Sequence, residues 1–90
     1  MSVAQQFGDN LARLRKRAGM SQEETSVRAG LHRTEISQLE RGLRLARVDT
    51  VAKLASALEI APGELFEGIA WKAGAVHRGS FELPDQDATL

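Results

Sequence analysis

Arg33, Thr34, Ser37, Gln38 and Arg41 lie within nine consecutive positions of this 90-residue chain. Steps of three and four residues put them on one side of a helix. What they share is hydrogen-bonding capacity and positive charge, which equips them for recognition rather than bond making. Groups that make and break bonds are not assembled elsewhere. The two histidines, His32 and His77, sit on unrelated segments, no carboxylates cluster with either, there is no cysteine, and no glycine loop of the phosphate-cradling kind occurs. Neither enzymatic activity, nor a cofactor, nor a metal site is expected.

The elements that must hold this set can be read from the flanking residues. Ser21 and Glu24 have the spacing of a capping box, in which the hydroxyl and the carboxylate each take one free backbone donor of a helix start. The helix so begun runs to Ala29 and meets Gly30, which tolerates the positive φ of a sharp exit. His32 and Glu35 repeat the cap spacing with a weaker cap, and Ile36, Leu39 and Glu40 then share the inward face of a second helix. Two helices joined by about four residues, the second with a polar and partly basic outer face, match a helix-turn-helix that sets its second helix in a DNA major groove.

The runs Ser21-Gln22-Glu23-Glu24, Ile36-Ser37-Gln38-Leu39-Glu40-Arg41-Gly42 and Thr50-Val51-Ala52-Lys53-Leu54-Ala55-Ser56-Ala57-Leu58, with Gly30 between the first two, occur in order and at characteristic spacing. Together they resemble the phage-repressor (lambda-repressor-like, or XRE) family over roughly residues 5 to 67. The resemblance implies an all-α, compact five-helix DNA-binding domain. It also implies sequence-specific binding of double-stranded DNA by a transcriptional regulator, a repressor first of all, acting as a two-fold homodimer on an inverted repeat. Helix 32–41 would enter the major groove, with Arg33 forked onto guanine, Thr34 offering its methyl to thymine, Gln38 reading adenine and Ser37 beside them. Ser21, Gln22, Arg41, Arg44 and Arg47 would grip phosphates, and Arg15 would form an internal ion pair with Glu40. The sequence departs from the family pattern at several points. His32 replaces the usual Ser or Thr cap, Thr25 and Ser26 replace Leu and Ala, Ala46 replaces a frequent proline, and Leu43 and Leu45 stand where polar residues are usual.

Length and charge agree with one small domain, since a chain of this size buries only about 60–65 % of its unfolded surface. Net charge is zero, but residues 1–48 carry nine basic and five acidic side chains, whereas residues 49–90 carry three basic and seven acidic. Such a polarised molecule presents a local positive field to a polyanion. No run approaches the ~18 apolar residues of a membrane span, and the absence of cysteine suits a reducing compartment, so the expected location is the bacterial cytoplasm, at the nucleoid.

Val3, Phe7, Leu11, Leu14 and Ala18 mark a first helix over about 3–18 that ends at Gly19, with Met20 tucked into the core. Val48, Val51, Leu54, Ala55 and Leu58 mark a fourth, capped by Asp49 or Thr50 and ending near Glu59. Pro62 introduces a short fifth from Gly63 to Phe66. The DNA-binding domain thus spans 1–67. In the extension 68–90, alternation predicts strands at 69–72 and 79–83 and a mobile tail over 84–90. Its aromatic residues need cover, from the helices or from a second copy, and a homodimer through Leu43, Leu45 and residues 68–83 is one expectation. The alternative reading is an antitoxin or interaction module whose extension binds another protein.

Overall fold

Ser2 opens the first helix. In a computed structural model, which describes residues 1–84, its hydroxyl accepts from the Gln5 amide and the Gln5 side chain returns the bond to the Ser2 amide. This capping box starts α1 (Val3–Arg17), and Arg15, Lys16 and Arg17 complement the negative end of its dipole. The helix stops at Ala18, which is exposed rather than part of the expected apolar stripe. The Ser21 hydroxyl takes the Glu24 amide at 3.0 Å and opens α2 (Gln22–Ala29), which exits through Gly30 at φ 66°. Thr25 and Ser26 are buried beneath it, each with its hydroxyl donating to a backbone carbonyl, Ser21 O at 2.9 Å and Glu23 O at 2.7 Å.

α3 spans Arg33–Glu40. His32 occupies its N-cap position without making a cap bond, so the weaker cap expected there is no cap at all. α4 (Val48–Leu58) begins one residue before Asp49. Arg47 is its N-cap, and the Asp49 carboxylate, already inside the first turn, accepts from the adjacent Thr50 amide rather than capping the helix from outside it. Val48 therefore lies outside the core, 89 % exposed. The expected fifth helix is a 3-10 helix, Pro62–Phe66, leaving four α-helices rather than five among the described residues. Five residues beginning Pro-Gly are too few for stable i to i+4 bonding, and the tighter helix serves as a connector.

The core joins Phe7, Leu11 and Leu14 of α1 to Ile36 and Leu39 of α3, Leu54 and Leu58 of α4, and Leu65 of the 3-10 helix. α1 is its central strut. On one side Gly8 lets α3 approach so closely that a Cβ there would lie 2.3 Å from the Leu39 carbonyl oxygen. On the roughly opposite side the buried Asn10 amide donates to the carbonyls of Leu65 and Glu67 at 2.9 and 2.8 Å, fixing the 3-10 helix.

After Gly68 the chain forms an antiparallel hairpin of β1 (Ala70–Ala73) and β2 (Gly79–Glu82), with Trp71 opposite Phe81. Both strands differ by a residue from the expected bounds, because Ile69 packs on the core and Leu83 turns into the interior beyond the end of the second strand. The tail expected to be mobile lies, beyond Pro84, outside the described residues. No helix among those described is long and apolar enough to cross a membrane.

Candidate nucleic-acid interface

The residues singled out on α3 are brought together as one strip. Arg33 and Thr34 are exposed at its first turn, Ser37 and Gln38 are half-buried at its middle, and Arg41 is exposed at its C-cap. Burial of Ile36 and Leu39 on the far side fixes this orientation. The Arg33 guanidinium lies 3.9 Å from the Glu23 carboxylate on α2, a loose exposed contact that leaves its donors available. In the loop after α3, Arg44 folds back and donates to the Gln38 side-chain oxygen at 3.2 Å. That bond leaves the Gln38 NH2 group pointed away from the arginine. Arg41 donates weakly to the Ser37 carbonyl at 3.4 Å, and Arg47, at the start of α4, pairs with Asp49 at 3.3 Å.

Behind the strip a polar network ties three helices. Arg15 of α1 grips the Glu40 carboxylate through two bonds, 2.5 Å to Oε2 and 3.0 Å to Oε1, and its third donor reaches the Met20 carbonyl at 2.9 Å. The two side chains are only 11 and 8 % exposed. Hydrogen bonding to Glu40 first, and its negative charge after, hold the Arg15 guanidinium above its ordinary pKa, against the lowering effect of burial. The Gln22 side chain donates to the same Glu40 Oε1 at 3.1 Å. Gln22 and the Ser21 hydroxyl, placed by sequence on the phosphate backbone, are thus both engaged at the head of α2 in the free protein. Spacing alone did not reveal the links from Gln22 to Glu40 and from Arg44 to Gln38. Their partners are 18 and 6 residues apart and meet only once the helices have packed.

An exposed hydrogen-bonding strip on a short helix, two arginines just beyond it and a rigid ion-paired base together form a surface that can follow a duplex groove and its phosphates. Known proteins resemble the chain in sequence and in fold. The helix-turn-helix family model matches residues 11–65. An uncharacterised HTH-type transcriptional regulator, y4dJ, from Sinorhizobium fredii is 42 % identical over 65 residues, covering 72 % of this chain and 84 % of the relative. The control protein C.BamHI of Bacillus amyloliquefaciens is 37 % identical over 62 residues, covering 68 and 76 %. Among solved structures, the restriction-modification controller protein C.AhdI from Aeromonas hydrophila superposes with a TM-score of 0.69 at 41 % identity, covering 70 % of this chain and 96 % of its own. Geometry and likeness converge, and the chain belongs to the XRE-like helix-turn-helix family of DNA-binding transcriptional regulators.

Proposed function

We propose that the protein represses transcription by binding a specific inverted repeat in double-stranded DNA as a two-fold homodimer, each α3 lying in the major groove of one half-site. The observation that carries this reading is the α3 strip itself. Arg33, Thr34, Ser37 and Gln38 face outward together, and the Gln38 amide is already oriented by Arg44. Arg33 and Gln38 read guanine and adenine, Thr34 and Ser37 complete the base contacts, and Arg41, Arg44 and Arg47 hold the phosphates with Ser21 and Gln22 at the head of α2. Residues 1–67 are the DNA-binding unit, residues 68–90 an extension to it, and the site of action is the bacterial nucleoid. The likeness to restriction-modification controller proteins supports control of particular genes rather than general packaging of DNA.

Dimerisation is supported by apolar surface beside the DNA-facing loop. Leu43, Leu45 and Val48 are all exposed, and Val48 rims a groove of about 430 Å³ between α4 and the 3-10 helix. One small module makes few contacts, and two-fold pairing on half-sites about 34 Å apart multiplies them. Selection from a random duplex pool tests the reading, with the complex sized by light scattering. An enriched inverted repeat bound by two chains is expected. Recovery of no motif, or of a motif without symmetry bound by one chain, would overturn it.

A further inference from the structure

The family match ends at residue 65, before the hairpin, so the hairpin needs its own explanation. Trp71, Ala73, Gly79 and Phe81 alternate onto one face of it, with Lys72, Ser80 and Glu82 on the other. The apolar face is organised rather than loose. The Trp71 ring meets Phe81 edge-on at 5.1 Å, and it lies so close over Gly79 that a Cβ there would come within 2.3 Å of the indole. Yet Trp71 and Phe81 remain 58 and 45 % exposed. An isolated two-stranded ribbon is marginal in water, and a preassembled aromatic face left wet adds to that cost.

A second unpartnered apolar feature lies a few residues away. The groove between α4 and the 3-10 helix is lined by Ala46, Val48, Val51, Ala52, Pro62 and Phe66, and its volume of about 430 Å³ suits a large aromatic side chain. We infer that these two features fit each other across a dimer, the Trp71–Phe81 face of each hairpin seating in the α4 groove of a second copy. The inference rests on the homodimer proposed above and names its contact.

Three observations select a second copy as the occupant. The convex and concave halves stand in the same chain, so one two-fold axis covers both in both copies and leaves nothing open for further growth. The hairpin's base is fastened to its own α1, where Gln6 bonds the Glu67 carbonyl and Pro84 packs on Gly68, and this α1 face is roughly opposite the one carrying Gly8 and Arg15 against α3. The hairpin is therefore held away from the DNA-facing strip and can engage protein while α3 engages DNA. Charge also agrees. Segments 46–52 and 59–67, which frame the groove, hold Asp49, Glu59, Glu64 and Glu67 against Arg47, with Arg17 and Arg13 of α1 paired to Glu64 and Glu67. The hairpin 70–82 holds Lys72 and Arg78 against Glu82, so a net negative rim faces a net positive hairpin.

Trp71 is the chain's single tryptophan and reports on its own burial. Diluting the full chain through its dimerisation range, with mass followed by light scattering and tryptophan emission recorded in parallel, should show emission moving to the blue as dimers form. Trp71→Ala and Val48→Asp alter exposed positions, so both variants should retain wild-type far-ultraviolet dichroism. Each should lose about 30-fold or more in dimer affinity. An equimolar mixture of the two keeps one intact hairpin–groove contact per pair and should dimerise more readily than either alone. Wild-type dimers with unshifted emission, a Trp71→Ala chain that pairs as well as wild type, or a mixture no better than its components would overturn the exchange while leaving the homodimer standing. A wild-type chain that stays monomeric both free and on DNA would overturn both.

Discussion

Arg15 and Glu40 form the most deeply buried ion pair among the described residues. Both are buried, and removing one partner leaves the other as an uncompensated charge. Arg15→Ala should therefore cost about 3–5 kcal/mol of unfolding free energy, while replacing both residues by methionine should cost far less. Urea midpoints of the two variants check this, and equal losses would mean that lost packing, not the stranded charge, dominates. The sign of the pH effect follows from the raised Arg15 pKa. Its stabilisation is complete below the ordinary arginine value and lost only as pH climbs through the higher folded one, so raising the pH from neutrality to about 10 should leave it in place. On the outer strip, Arg33→Ala should relax selection at one base pair by about 1–3 kcal/mol. Arg44 has a mixed expectation because it also orients Gln38. Arg44→Ala should weaken all duplexes and additionally blur the base that Gln38 reads. Binding measured on single-base variants of the selected site separates these outcomes.

At the scale of elements, the sequence was most legible where a local rule sets the backbone. Ser21 with Glu24 and Gly30 bracket α2 as expected, because caps and left-handed exits act over four residues. It was least legible where tertiary packing decides. The start of α4 lies two or three residues before its apparent caps, since Asp49 and Thr50 look like caps but the chain enters the helix at Arg47. The Asn10 amide, which fixes the 3-10 helix across 55 and 57 residues, carries no local signature at all. His32 sits at the head of α3 without bonding it. His32→Ser should thus stabilise the protein by about 0.5–1 kcal/mol, visible as a higher thermal midpoint. Gly8→Ala sets two effects in opposition. Alanine improves helix propensity by about 1 kcal/mol, but its methyl must displace the Leu39 and Glu40 backbone, and overpacking against groups that cannot rotate aside costs about 1–3 kcal/mol. The clash should win, lowering the thermal midpoint and prising α1 from α3. An unchanged or higher midpoint would show that this crossing is not tight.

The whole molecule is neutral, yet its two halves differ by eight charges, +4 over residues 1–48 and −4 over residues 49–90. Affinity for a polyanion depends on which cations meet phosphates and release counterions, not on the sum. Arg41, Arg44 and Arg47 all lie in or beside the loop that follows α3, so one chain should neutralise about three phosphates and a dimer about six. That predicts a log–log salt slope near −5 for the dimer and near −3 for a single chain. Arg41 is the cleanest probe, because the bond its side chain makes within the described residues is the weak one to the Ser37 carbonyl. In a two-fold complex the substitution is present twice, so Arg41→Ala should reduce the slope by about 2 and leave base preference unchanged, whereas a single bound chain would lose about 1. The same titration thereby counts chains on the duplex without reference to their mass. A slope unaffected by Arg41→Ala would mean that the loop does not track the backbone, and that the basic half of the molecule meets DNA through the arginines of α1 instead.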